Sequence, residues 1–435
     1  MQANGMEASA AEWGRREREA QAGGSTRLPA ATVAELRASS LLRAPVPRTL
    51  GGGGWGLPRS AMWLRGVARC APATALAIAM HLSMAACSRA LAATPAARPG
   101  AAQDAHASTA SPPERRQGTP ASGRTGGHHP EPAGAAWVAE ACLQGRILGV
   151  ANADVGPPQP AGAGAARTRA SRDGGVWRLT GRKAFATWGR DADAFLCAAT
   201  TPDGRASFVV ERDAPGVEVA AAWDGLGMRC SASVQVTLDE APATAMVGYG
   251  GELAPTIARL WSMVLLGATF VGVGEGALAV AARRADGATA SAAIGTTALR
   301  LEAAAGLLDS VAQAESRVRP RGLLVRAGRA KAFATLAAVE AATVGAVHGG
   351  GSSYCLESDA SRFLRDALAG PHLRPQSTTV VDELARAWRT QGPPELFPEQ
   401  ADPPASAEAP GGLGKPRRRR PDRRHLPGTL AGNRF

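Results

Sequence analysis

The sequence predicts an α+β protein: a helical N-terminal domain, an antiparallel β middle and a helical C-terminal bundle. Two observations predict it. Between Asp173 and Leu238, short apolar segments alternate with the turn signals Asp173-Gly174-Gly175, Pro202-Asp203-Gly204 and Pro215-Gly216. That spacing is the mark of antiparallel strands. On either side, Ala- and Leu-rich stretches have helical length and period. A chain of 435 residues can hold two or three domains and bury a large core. The β-pattern alone fits many folds and names no activity.

Taken in order, residues 1–26 are polar and charged and are expected to form a flexible N-terminus, at most a frayed helix. Leu28 to Leu42 predicts a helix with Pro29 in its first turn. Ala44 to Gly56 reads as a loop by its Pro and Gly content. Met62 to Ala86 is helical again, with Pro72 as a break or a new start. Residues 89–135 form a low-complexity insert within a helical domain spanning 27–144. The pair His128-His129 in that insert lacks cysteines or carboxylates at ligand spacing, and no metal site is expected. Residues 145–247 form the β-domain, and 248–390 the C-terminal bundle, with helices over 257–284, 296–316, 323–347, 361–368 and 379–390. Residues 391–435 are rich in proline and arginine and read as a disordered basic tail.

The formal net charge is +12. Much of it sits in the run Lys415 to Arg424, where seven cations face only Asp422. No Trp or Tyr accompanies that run, so a solvated tail is expected and no nucleic-acid partner. The six cysteines are scattered, with no CxxC and no zinc spacing, as in a reducing compartment. The apolar run Ala71 to Ala86 is about 16 residues long and contains His81. It is shorter than the roughly 20 residues that span a bilayer. No membrane association and a cytoplasmic location are expected.

Several phrases resemble the acyl-CoA dehydrogenase family. Pro45-Val46-Pro47, Gly51 to Gly54 and the helix ATALAIAMHLS with His81 near its end follow the order of its N-terminal domain. Lys183-Ala184-Phe185-Ala186-Thr187-Trp188-Gly189 is similar to its "KxW/F-I-T-N-G" strand. Leu226-Gly227-Met228-Arg229-Cys230-Ser231-Ala232-Ser233 is similar to "LGxRxSxT". His348-Gly349-Gly350-Gly351 after a long helix, followed by Arg362-Phe363-Leu364-Arg365-Asp366-Ala367, is similar to its "Q/H-x-GG-x-G" and "R…RDA" segments. The chain has no GxSxG, which removes the hydrolase reading of HGGG. The phrase GVGEGA at 272–277 lies inside an apolar helix and reads as close helix packing, not a dinucleotide loop.

The resemblance implies a helical domain, a central antiparallel β-barrel, a helical bundle and bound FAD. It places Phe185 against the flavin ring and Thr187 near its N5. It brings the backbone at Val150 and Ala151 to the cofactor, although Ala151 and Asn152 stand where the family has Thr and Glu. It sends His348, Gly349, Gly350 and Gly351 to the FAD of a neighbouring subunit, hence a homodimer or homotetramer. It implies oxidation of an acyl-CoA or related acyl substrate, with electrons passed to a flavoprotein acceptor. The usual catalytic glutamate is missing. One family position for it holds Arg374 and the other holds Ala258, beside Arg259. His372 is the candidate substitute base, and Arg259 and Arg374 are candidate substrate-binding cations. A flavin-dependent monooxygenase of the same fold and a non-catalytic relative are the alternatives.

Overall fold

The computed structural model describes residues 3–93, 132–156, 166–284 and 287–392. His128-His129, the Gly/Ala stretch 161–165, most of the 89–135 insert and the basic tail beyond Gly392 lie outside the described residues. The chain opens on α1 (Ala3–Ala22), α2 (Ala30–Ala38), α3 (Leu57–Ala68), α4 (Pro72–Ala85) and the short α5 (Arg89–Ala93). Pro58 and Pro72 sit in the first turns of α3 and α4, where the missing N–H costs nothing.

The expected flexible N-terminus is corrected. Helix α1 is tied down because Glu17 is fully buried and its carboxylate accepts from the Ala73 and Thr74 N–H groups at 3.2 and 3.0 Å. A carboxylate there satisfies orphan donors at the start of α4 and meets the positive end of its dipole. Trp13 adds a hydrogen bond to Glu35 at 2.8 Å and an edge-on contact with Trp63.

After α6 (Pro132–Leu143) come β1 (Leu148–Ala151), β2 (Ala153–Asp154), β3 (Arg169–Asp173), β4 (Val176–Ala186), β5 (Ala194–Thr201), β6 (Gly204–Glu211), β7 (Val217–Val219), β8 (Val234–Pro242) and β9 (Ala245–Tyr249). The turn signals work as expected. Gly174 and Gly175 both take positive φ between β3 and β4, and Thr201 pairs with Gly204 across the next two-residue turn.

The expected closed antiparallel barrel is corrected. The sheet runs β7-β8-β4-β3-β5-β6-β9, with β1 added parallel to β5 and β2 antiparallel to β4. It is mixed and, among the described residues, open, since no pairing there joins β7 to β9. Helix α6 packs against the β9 end instead. A Cβ on Gly134 would stand 2.2 Å from the Met246 carbonyl oxygen, so the helix lies directly on that strand.

The bundle is α7 (Leu253–Ala282), α8 (Ala288–Ala314), α9 (Pro320–His348), α10 (Asp359–Ala367) and α11 (Ser377–Gln391). Helix α7 is buried almost all round and forms the axis of the core. The GVGEGA phrase is close packing, as its sequence suggests. A Cβ on Gly272 would meet the Arg65 carbonyl at 2.2 Å, and one on Gly276 the Arg69 carbonyl at 2.6 Å. Glu275 between them is bonded to Arg65 and Arg69, which outweigh burial and hold its pKa low. Among the described residues, three helical stretches, Pro72–Ala93, Leu253–Ala282 and Pro320–His348, are long and apolar enough to cross a membrane. Most of the apolar window of the first two is buried within the fold, and just over half of the third.

Candidate functional site

The end of β4 is bent by a bulge. Lys183 pairs with Val236 and Ala186 with Val234 on β8, so Ala184 and Phe185 together face one residue. Phe185 has φ 58°, and Trp188, just past the strand, has φ 71°. Left-handed backbone at two bulky residues in one short segment is strain, of order 1–3 kcal/mol each, of the kind stored at functional sites. The result is an aromatic ring turned outward: Phe185 is 52% exposed and stands edge-on to Trp223 at 5.5 Å. Trp188 goes the other way, buried, with its Nε1–H donating to the Ala77 carbonyl at 2.8 Å.

Thr187 is buried between these two aromatics in sequence. Its Oγ1 accepts from the Val150 N–H at 3.3 Å, and its own N–H donates to the Val150 carbonyl at 3.4 Å. The hydroxyl proton of Thr187 is therefore still available for donation. Both backbone groups of Val150 are engaged by Thr187. Ala151 is fully buried, and next to it Asn152 Oδ1 is buried without a hydrogen-bond partner. Strand β1 is held in place by His81. The His81 Nδ1 accepts from the Leu148 N–H at 3.0 Å, which leaves Nε2–H to donate to the Leu42 carbonyl at 2.7 Å. Burial lowers the His81 pKa to about 4, so the ring is neutral. The histidine near the end of α4 is thus a structural pin beneath the strand.

Two residues before Phe185, Lys183 is fully buried and bonds Asp154 at 2.7 Å. Asp154 also accepts from Thr168 Oγ1 at 2.7 Å and from the Arg167 N–H at 2.9 Å. Burial alone would raise the Asp154 pKa, but Lys183 and these hydrogen bonds outweigh it and hold it below the usual range.

His348, Gly349, Gly350 and Gly351 lie where α9 ends. The Arg284 guanidinium donates to the Gly349 carbonyl at 3.4 Å and to Ser352 Oγ at 2.6 Å. A cavity of about 350 Å³ adjoins them, lined by Arg283, Arg284, Ser352, Ser353 and the start of α10. Ser353 Oγ is buried without a partner. Arg283, Arg284, a helix N-terminus and an unsatisfied hydroxyl face one carboxylate in that lining, Asp359, and the balance suits a phosphate.

The candidate base region is held from beneath by Lys331. Its ammonium donates to the carbonyls of Gly370 at 3.3 Å, Leu373 at 2.5 Å and Pro375 at 2.9 Å. Burial pulls its pKa down to about 8. This fixes the turn that carries His372 and Arg374, both exposed. Arg259, on α7, is also exposed, and Ala258 beside it is buried. The His348 loop is not brought to this turn. Lys331 and His348 are 17 residues apart on α9, which at 1.5 Å per residue is about 25 Å.

Two sequence phrases that look independent meet directly. The Met228 N–H donates to Asp366 Oδ1 at 2.6 Å, and a Cβ on Gly227 would stand 2.0 Å from the Arg365 carbonyl. Behind them Arg362 lies between Asp366 and Glu17, with Nη1 at 3.9 and 3.7 Å. Burial raises the pKa of both carboxylates, and Arg362 opposes it. Sequence pattern alone gives no role to Glu17 or Lys331, whereas Arg362 stands in the phrase Arg362-Phe363-Leu364-Arg365-Asp366-Ala367. The available signal was a charged residue at an apolar-face position, as Lys331 is within RAKAFATLAA.

Residues 158–241 match the acyl-CoA dehydrogenase middle domain, and residues 265–373 match the acyl-CoA dehydrogenase C-terminal domain. The putative acyl-CoA dehydrogenase YdbM of Bacillus subtilis is 26% identical over 267 residues, 58% of this chain and 70% of YdbM. The amino sugar nitrososynthase RubN8 of Streptomyces rubradiris is 29% identical over 238 residues, and this chain spans only 56% of it, aligning 48% of its own length. Among solved structures, KijD3 in complex with FMN and a dTDP-linked amino-keto sugar superposes with a TM-score of 0.69 at 24% identity, covering 91% of this chain and 95% of KijD3. That likeness establishes the fold: helical domains around a mixed sheet. The chain thus carries the middle and C-terminal domains of the acyl-CoA dehydrogenase family.

Proposed function

We propose that this protein is a flavin-dependent oxidoreductase of the oxygen-using kind, a monooxygenase on the acyl-CoA dehydrogenase fold. The observation that carries the reading is the pair of base positions, which hold Ala258 and Arg374. α,β-Dehydrogenation needs a group to remove the α-proton. An arginine stays protonated and does not serve. The relatives include a nitrososynthase as well as acyl-CoA dehydrogenases, and the solved structures include a complex with FMN.

The residues present fit a flavin. Phe185 offers an outward apolar face for the ring, Thr187 an unengaged hydroxyl proton, and Asn152 Oδ1 a buried acceptor without a donor. Val150 and Ala151 back the site as part of β1. Bound there, the flavin supplies the redox centre, and the chain's part is to hold it and exclude water. We propose FAD, because the Arg284 and Ser353 cavity beside Gly349, Gly350 and Gly351 suits a pyrophosphate reaching from a second subunit. Assembly as a homodimer or homotetramer is supported by the exposed apolar side chains Leu299, Leu307, Val325, Phe333 and Leu336 on α8 and α9. All six cysteines are free thiols, which supports the cytoplasm as the compartment.

A second reading is acyl-CoA dehydrogenation with His372 as base and an electron-accepting flavoprotein as partner. The likeness to YdbM favours it. One experiment separates the two. The protein reconstituted with FAD or FMN is titrated anaerobically with saturated acyl-CoAs, and its reduced form is then exposed to oxygen. No bleaching by acyl-CoA with rapid reoxidation by oxygen is expected. Rapid bleaching by a simple acyl-CoA would replace the proposal with the second reading.

A further inference from the structure

Phe185 leaves the end of β4 on a left-handed backbone, φ 58°, with its ring half exposed. A phenyl group so placed can change rotamer unless something holds it. Among the described residues, neither Phe185 nor Trp223 is part of a hydrophobic core cluster. The two rings meet each other instead, with centroids 5.5 Å apart and planes at 81°. Edge-on geometry is a favoured one for two aromatic rings, and it covers at most one flat face of the phenyl. The other face stays open.

Trp223 lies between β7 and β8, outside the sheet, and is half-buried. Its indole is fixed without the help of the core. Nε1–H donates to the Gly227 carbonyl at 3.3 Å. The ring lies against Gly225, where a Cβ would stand 2.2 Å from Cε2 and Cζ2, so only a residue without a Cβ leaves the indole that seat. Arg229 Nη1 donates to the Gly225 carbonyl at 3.3 Å, and the Met228 N–H to Asp366 at 2.6 Å. The Trp223 N–H donates to Thr26 Oγ1 at 3.5 Å, which ties the segment to the N-terminal helices. A tryptophan kept for burial alone would sit in a core cluster. This one is anchored by polar bonds and a glycine, with its ring against Phe185.

We propose that Trp223 is a positioning residue of the flavin site. It holds the Phe185 ring in one orientation, so that the open face meets the isoalloxazine. The proposal rests on the flavin reading and adds to it a residue that acts through Phe185. Fixing the phenyl rotamer before the flavin arrives removes part of the ordering cost of binding. An edge-on pair is worth about three- to tenfold in affinity.

The test is a double-mutant cycle on flavin affinity, read by fluorescence titration of the flavin-free protein with FAD and FMN, together with the visible circular dichroism of the bound flavin. Trp223→Ala is expected to weaken binding by about three- to tenfold and to change the dichroism in the same sense as Phe185→Ala. Trp223→Phe keeps an aromatic ring and should restore most of the affinity. Gly225→Ala alters neither ring but removes the seat of the indole, and should weaken binding as Trp223→Ala does. Phe185→Ala combined with Trp223→Ala should bind flavin no more weakly than Phe185→Ala alone. The melting temperature of the flavin-free protein should stay close to wild type in each variant. Unchanged affinity in Trp223→Ala would overturn the proposal. Additive losses in the cycle would overturn it too, because Trp223 would then act independently of Phe185. A fall in melting temperature that accounts for the lost affinity would make the residue structural only. A wild type that takes up neither FAD nor FMN would remove the flavin reading itself, and the proposal with it.

Discussion

Asp366 on α10 accepts a hydrogen bond from the backbone N–H of Met228 at 2.6 Å, across 138 residues of sequence. That bond joins the bundle to the sheet beside the Phe185–Trp223 pair, because Trp223 Nε1–H donates to the Gly227 carbonyl at 3.3 Å. Arg362 continues the connection to Glu17, and Glu17 to the start of α4. Three parts of the chain are thus held in one buried polar network. Its first consequence is energetic. Asp366→Ala removes one of three carboxylates facing a buried arginine, Glu17, Asp359 and Asp366, and orphans the Met228 N–H. Breaking such a pair costs about 3–5 kcal/mol. Denaturant titration should show a midpoint shifted by that order, and a change below about 1 kcal/mol would show that the network is not coupled to folding.

The same network predicts a pH dependence. Burial raises the Glu17 and Asp366 pKa values in the fold above their unfolded values. The folded state then binds more protons than the unfolded one. The contribution to stability is fully present below the ordinary carboxylate range of about 4 and is lost as pH rises through the folded values. Asp366→Asn keeps an acceptor for Met228 and removes the titration. Its stability should be flatter than wild type between pH 4 and 7, and parallel curves would count against the assignment.

His81 predicts the opposite slope over an overlapping window. Its folded pKa is about 4 against 6.5 for a free imidazole. The unfolded chain takes up the proton first, so stability is lost as pH falls from about 6.5 to about 4. The full difference corresponds to about 3 kcal/mol at 1.36 kcal/mol per unit. His81→Gln should abolish most of this acid sensitivity in thermal melts. A His81→Gln variant whose melting temperature falls with acid as steeply as that of wild type would contradict the neutral, doubly bonded ring.

The outward turn of Phe185 separates cofactor binding from folding. Its side chain is half exposed, so Phe185→Ala should leave the flavin-free protein nearly as stable as wild type while weakening flavin binding. Thr187→Ala deletes an acceptor for the Val150 N–H and should cost about 0.5–1.5 kcal/mol of stability along with a shifted flavin spectrum. Equal flavin affinity and spectra in both variants and wild type would remove these residues from the site.

The sequence showed the order of elements, the turns at Gly174-Gly175 and Asp203-Gly204, and the packing role of Gly272 and Gly276, because each is set by local pattern. It did not show that the sheet stays open, since the pairing of β1 with β5 and the seat of α6 on β9 are long-range choices. It did not show the Met228–Asp366 bond, although both motifs were visible, because nothing local states that they touch.

The sharpest prediction concerns Arg374 itself. If it occupies the position of the family's base, Arg374→Glu places a carboxylate where an α-proton would be taken. A missing general base typically costs about 10²–10⁴-fold in rate. Anaerobic flavin reduction by a saturated acyl-CoA should be slow or absent in wild type and measurably faster in Arg374→Glu. No gain in flavin reduction by Arg374→Glu would remove the residue from the position of the base.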